Sequence, residues 1–271
     1  MSHGTAPKTA LNVVVIYGTA EARKIVSLLE AGGVSTLTVV GSEYAGAGIR
    51  TDEDRVVRAG PDQEWWVGLL TERKVGCLVD ATHPFRSTLS EAAWLACTGT
   101  GVPFFRFYRP EIRLPDSPLI HTVAGFDEAA VVAASLGRTI FLTTGSGNLE
   151  TFLGQDAVQG RRVVVRVLPE ARLITRCREL GVLPRDIVGL QGPFSVRFNQ
   201  AIFAAYGADV VVTREGGRSS GTSSKIKAAL NLGLPVVIVV RSDNPRLAPE
   251  QVCSSSRQVV ERVLAVLDVR D

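Results

Sequence analysis

The chain has 271 residues, 45% hydrophobic and 21% charged, with a net charge of +3. That length suits one or two domains, and so small a charge argues against a nucleic-acid partner. No apolar run approaches the roughly 20 residues needed to span a bilayer, so no membrane role is expected.

Residues 1–10 are polar, lack the apolar stretch of a secretory signal, and read as a flexible tail. The four cysteines, Cys77, Cys97, Cys177 and Cys253, form no CxxC pair, which suits reduced thiols in a cytoplasmic protein. His3, His83 and His121 are scattered, and no metal site is expected. Of the 30 basic residues 25 are Arg, whose rigid fork suits carboxylate and phosphate. A GC-rich genome accounts for the bulk equally well, so position must decide which arginines matter.

Short apolar runs alternate with helical stretches. Strands are expected at 11–17, 36–40, 55–58, 75–80 and 103–108, with helices at 20–31 and 87–98 among them. A second series follows at 139–143, 162–168, 186–190, 208–213 and 235–241, with helices at 195–206 and 223–232. A last helix is expected over 249–268, packed through Val259, Val260, Val263, Leu264 and Leu267. The strands are continuous apolar runs, as in a parallel sheet covered on both faces. Strand and helix in turn make βαβ units and a doubly wound α/β fold.

GVPFFRFYR at 101–109 resembles GLPVVIVVR at 233–241, and the strands upstream, ending at Asp80 and Thr213, lie at nearly equal distances before them. This reads as an internal duplication. The polar stretch 110–122 is expected to join the halves, with domains at 11–120 and 121–271.

In open parallel sheets ligands lie beyond the carboxyl ends of the strands. Gly18-Thr19-Ala20-Glu21 follows the first strand, where a glycine turn and a helix start suit an anion as well as a plain connection. Ser42 and Glu43 follow the second, where an acid meets a ribose hydroxyl. With no Arg before Arg50, that leans to NADH over NADPH; a solvated loop acid is the other reading. The fourth strand ends in DATHPF at 80–85. There Thr82 and His83 are expected at a ligand, with Pro84 fixing the turn and Asp80 an internal partner. Arg106 lies inside an apolar strand and needs an anion, either Asp80 or an acidic ligand. In the second half, Thr144-Gly145-Ser146 forms a polar loop opening a helix, Ser195 is an N-cap or a contact, and Arg214 and Lys225 flank a Gly/Ser-rich loop. Neither a GxSxG elbow nor a P-loop is present.

GTAEAR at 18–23, DATHPF at 80–85, VPFFRFYRP at 102–110, FLTTGSGNLETF at 141–152, VRVLP at 165–169, GPFSVRFN at 192–199 and the run from VVVTREGG to VVIVVR over 210–241 together resemble the precorrin-6A reductase family of cobalamin biosynthesis. GPFS, Asn199 and KIKAA look closer to its cobalt-precorrin-6A branch. The resemblance implies two Rossmann-like domains, one for coenzyme and one for substrate, with last strands exchanged between the sheets and the Gly-x-Pro strands as those involved. It implies hydride transfer from NADPH or NADH to a carboxylate-bearing tetrapyrrole, without a named catalytic side chain, and a transient hand-over to the next pathway enzyme.

Coenzyme contacts carry over to Gly18, Thr19, Glu21, Ala22, Ser42, Glu43 and Thr82. Substrate contacts carry over to His83, Arg106, Arg109, Thr144, Gly145, Ser146, Ser195, Arg214 and Lys225. The family's Thr-Lys-Glu-Ser-Gly is here Thr213-Arg214-Glu215-Gly216-Gly217, which keeps the charge and loses a hydroxyl. The alternative reading is a non-catalytic dinucleotide- or acidic-ligand-binding protein on a duplicated α/β scaffold.

Overall fold

The computed structural model describes residues 12–41, 55–60, 62–82, 87–217, 220–241 and 246–268. It contains two parallel six-stranded sheets. The strands are β1 (Asn12–Tyr17), β2 (Thr36–Val40), β3 (Val56–Arg58), β4 (Val75–Asp80), β5 (Phe104–Phe107), β6 (Ile120–Val123), β7 (Thr139–Leu142), β8 (Arg162–Val167), β9 (Ile187–Gly189), β10 (Val210–Arg214), β11 (Val236–Val239) and β12 (Val252–Cys253). The helices of the described residues are α1 (Ala20–Ala31), α2 (Gln63–Glu72), α3 (Ser87–Thr100), α4 (Phe126–Leu136), α5 (Leu149–Leu153), α6 (Ala171–Glu179), α7 (Val196–Ala205), α8 (Thr222–Asn231) and α9 (Ser256–Asp268).

The sheet orders are β12-β5-β4-β1-β2-β3 and β6-β11-β10-β7-β8-β9. Reading β7 as the counterpart of β1, the orders coincide strand for strand, and both are the doubly wound order. The duplication suggested by the two Gly-x-Pro segments is thus matched by topology. Gly101 and Gly233 both sit at φ +70, just beyond the ends of α3 and α8. A left-handed residue there stops the helix, and glycine adopts it without steric cost.

The sixth position of each sheet is where the exchange lies. β6 follows β5 in sequence yet pairs with β11, and β12 follows β11 yet pairs with β5. The exchanged strands are therefore β6 and β12, not the Gly-x-Pro strands β5 and β11, which stay with their own halves. This corrects the expected domain limits. One unit comprises Met1–Arg109 and Asn244–Asp271, the other Pro110–Asp243. The 110–122 stretch, expected as a joining segment, runs into β6 and includes its first three residues. The expected last helix over 249–268 starts at Ser256 and belongs to the first unit, not the second.

Burial explains the continuous apolar strands. In β1, Val13, Val15 and Tyr17 face Ile25 and Leu29 of α1 and Val259 and Val263 of α9. Val14 and Ile16 face Trp66 and Leu70 of α2 and Ala93, Ala96 and Cys97 of α3. Val13 to Tyr17 of β1 thus all pack against helices, so the in-out alternation of a one-faced sheet is absent. Burying Val259 and Val263 stabilises the fold by roughly 1.5–3 kcal/mol each, which ties the chain's last helix to its first strand. In the second unit Phe141, Val211, Val236 and Ile238 pack with Phe203 of α7 and Ile226 and Ala229 of α8.

Candidate functional site

In each sheet the connections leave in opposite directions from the first and fourth strands of the half, β1 and β4 or β7 and β10. Such switch points are where open α/β sheets hold ligands. At the first, Thr19 caps α1. Its hydroxyl accepts from the Ala22 N–H at 3.2 Å and donates to the Ala81 carbonyl at 2.9 Å, tying the exit of β1 to that of β4. Gly18 is exposed, and a Cβ added there would meet nothing within 4 Å. The fold leaves that space open ahead of the N-terminus of the twelve-residue α1. An open approach to a long helix's N-terminus at a switch point fits a dinucleotide pyrophosphate.

Glu21, in the first turn of α1, pairs with Arg109 at 2.6 Å, and this offsets a charge that would repel an anion. Ala22 has a fully buried side chain and gives its N–H to the Thr19 hydroxyl as a capping bond. Ser42, Glu43 and His83 lie outside the described residues.

The DATHPF strand exit resolves into a buried network. The Arg106 guanidinium is 3% exposed and ion-pairs with Asp80, which is fully buried. Its Nη1 also donates to the Thr82 hydroxyl at 2.7 Å and to Ser90 at 3.0 Å. The Thr82 N–H donates to Asp80 at 3.0 Å. Asp80 therefore supplies the anion that a buried arginine needs, the first of the two partners expected for Arg106. Thr82 is 3% exposed and bonded on both sides within the same network. Arg109 is likewise turned inward, onto Glu21.

The repeat has the same logic in the second unit. Arg241, the counterpart of Arg109, pairs with Glu215 at 2.5 Å. Glu215 also accepts from the Gly217 N–H at 2.8 Å and the Ile112 N–H at 3.3 Å, which pins the start of the Gly/Ser-rich loop. Thr144, Gly145 and Ser146 lead into α5, which has only five residues and so a weak helix dipole. The helix behind the expected anion seat is therefore short. Ser195 caps α7 by accepting from the Phe198 N–H at 3.2 Å, so the capping reading accounts for its side chain.

Arg214 and Lys225 do come together, and Arg166 joins them. Lys225 opens α8, Arg214 ends β10, and Arg166 lies near the end of β8, so all three sit at carboxyl strand ends of one sheet. Burial, then Arg166 and Arg214, push the Lys225 ammonium down to about 7. Burial alone lowers Arg166 to about 10, which leaves it charged. Among the described residues, neither Arg166 nor Lys225 has a carboxylate partner. The Arg166 guanidinium donates to the Asn199 side-chain carbonyl at 2.9 Å and lies over the Phe194 ring at 5.2 Å. Asn199, 1% exposed, in turn donates to the Ser195 carbonyl at 2.9 Å. Arg166 and Lys225, gathered beside Arg214 without a carboxylate partner of their own among the described residues, raise the free energy of the folded chain, and a polyanion offsets that cost.

Two doubly wound parallel units, one of them with a cationic cluster at its carboxyl strand ends, define the class as a two-domain Rossmann-like α/β protein. Sequence comparison makes this particular. The model of the family described as precorrin-6x reductase CbiJ/CobK matches residues 12–266, and the chain belongs to that family. It is an oxidoreductase of cobalamin biosynthesis. The chain is 34% identical over 262 residues to the cobalt-precorrin-6A reductase of Methanothermobacter thermautotrophicus, covering 95% of this chain and 85% of that one. It is 32% identical over 255 residues to the enzyme of the same name from Salmonella typhimurium, covering 93% and 95%. A precorrin-6A reductase from Mycobacterium tuberculosis is 35% identical over 176 residues, covering 64% and 66%. Among solved structures, a CobK precorrin-6A reductase superposes with a TM-score of 0.75 at 25% identity, over 94% of this chain and 97% of that one.

Proposed function

We propose that the chain reduces one double bond of cobalt-precorrin-6A, or of its metal-free counterpart, with NADH or NADPH. The observation that carries this reading is the Arg166–Arg214–Lys225 cluster, which calls for a ligand with several carboxylates. The sequence relatives that cover 93–95% of the chain carry the cobalt-precorrin name, which supports the cobalt form, while the CobK structure that covers 94% of it supports the metal-free one.

When bound, the nicotinamide coenzyme supplies a hydride. The open space at Gly18 and the N-terminus of α1 receive its pyrophosphate. The three cations receive carboxylates of the macrocycle. Each charge-assisted hydrogen bond contributes about 1.5–3 kcal/mol, so three fix the ring's orientation as well as its affinity. The Arg166–Asn199 bond holds one guanidinium in place before the substrate arrives. No side chain is assigned as proton donor. The conjugated macrocycle is itself electrophilic, and orientation is the main contribution asked of the protein.

The test is anaerobic incubation of the purified chain with cobalt-precorrin-6A or precorrin-6A and each coenzyme, followed by nicotinamide absorbance. Oxidation in step with macrocycle reduction is expected. No oxidation in any combination overturns the reading, and binding without turnover favours a non-catalytic binding protein.

A further inference from the structure

One exposed aromatic feature of the second unit is not used by the carboxylate contacts. Phe194 and Phe198 stack with centroids 4.5 Å apart and ring planes 18° from parallel. Phe198 is 39% exposed, one of few large apolar side chains so placed. Phe194 precedes the Ser195 cap and Phe198 lies in the first turn of α7, so their contact also steadies the start of that helix. A staple needs apolar bulk only; it does not need two coplanar rings, one of them open to solvent.

The pair adjoins the cationic cluster. The Arg166 guanidinium lies over Phe194. The Ser224 hydroxyl donates to the Phe194 carbonyl at 2.9 Å, which joins this turn to the start of α8 immediately before Lys225. A flat apolar face and a group of cations thus sit side by side on one unit. That combination complements a ligand that is planar, conjugated and rimmed with carboxylates. A non-aromatic polyacid would use the cations alone.

We propose that the exposed ring of Phe198, backed by Phe194, forms a shelf that takes the face of the tetrapyrrole ring, while Arg166, Arg214 and Lys225 take its carboxylates. Phe198 is then a specificity-determining residue that selects a macrocycle over other polyanions. Asn199 is a positioning residue that sets the Arg166 guanidinium between the shelf and the other cations. This inference rests on the tetrapyrrole reading above, and it is tested by binding without turnover.

The probe is uroporphyrin, a planar porphyrin with carboxylates around its rim, followed by fluorescence anisotropy on the full chain without coenzyme. Phe198→Leu keeps apolar bulk in the first turn of α7 and removes the ring. It is expected to weaken uroporphyrin binding about tenfold, in line with the loss of one aromatic stacking partner. Its thermal midpoint and its affinity for citrate, a polycarboxylate without a ring face, should match those of the parent. Phe198→Tyr, which restores the ring, should restore the affinity. Equal uroporphyrin affinity in Phe198→Leu and the parent overturns the shelf, as does the absence of uroporphyrin binding to the parent. A parent that binds uroporphyrin through Phe198 yet oxidises neither coenzyme with either precorrin leaves the shelf standing and overturns the reductase reading, so the two failures are distinguishable.

Discussion

Replacing Lys225 with Met should make the protein more stable and worse at binding its substrate. The ammonium ordinarily titrates at 10.5 and is held at about 7 here by burial and by Arg166 and Arg214. At 1.36 kcal/mol for each factor of ten in proton affinity, this difference corresponds to roughly 5 kcal/mol of destabilisation at neutral pH and below. Lys225 is partly exposed, so water screens the charge and the expected gain for Lys225→Met is about 2 kcal/mol. The sign follows from linkage. Between pH 7 and 10.5 the unfolded chain binds more protons at this position than the folded chain, so stability rises with pH there. The advantage of Lys225→Met should be full below pH 7 and fade as pH approaches 10.5. Differential scanning fluorimetry without ligand reads it as a midpoint about 5 °C higher at acidic pH, converging with the parent at alkaline pH. An unchanged or lower midpoint for Lys225→Met at acidic pH would refute the claim that the cluster is held at a cost to the fold.

Two further changes probe the first unit. Arg106→Met leaves Asp80 as an unpaired buried carboxylate and should cost about 3–5 kcal/mol in urea unfolding, with Asp80→Asn/Arg106→Met recovering much of the loss. A variant of parental stability and weak tetrapyrrole binding would instead return Arg106 to the substrate site. Gly18→Ala adds a methyl group into open space without backbone strain, so its melting should match the parent. Its KM for coenzyme should rise about tenfold, because a pyrophosphate and a Cβ compete for that space. An unchanged KM removes Gly18 from the coenzyme site.

The strands that sit in the middle of each sheet were legible in the sequence because both their faces are packed. The runs VVVIY in β1 and VVVT in β10 leave no other reading. The edge strands were not. β6, Ile120–Val123, carries His121 and Thr122 and is mostly half-buried, while β12 has two residues. Neither offers an apolar run, and both are defined by hydrogen bonds to distant segments, which periodicity cannot register. The domain limits failed for that reason.

At the site, residue type was a better guide than role. Buried Arg106 was correctly expected to need an anion, and Asp80 was one of two partners foreseen for it. Choosing between them required knowing that Asp80 and Arg106 are register neighbours on β4 and β5. Arg166 looked like one more arginine in an arginine-rich chain until the fold gathered it with Arg214 and Lys225. The Phe194–Phe198 stack was within reach of the sequence. The two rings are four residues apart across an N-cap Ser, a spacing that brings side chains together on one face of a helix start.

The division of labour between the two units is tested most directly by steady-state kinetics of the double variant Arg166→Met/Lys225→Met, with cobalt-precorrin-6A and coenzyme each varied in turn. Removing two charge-assisted contacts should raise the KM for the tetrapyrrole at least tenfold and leave the KM for coenzyme within about twofold of the parent. A rise in the coenzyme KM as large as that for the tetrapyrrole would contradict the assignment of the cationic cluster to the substrate.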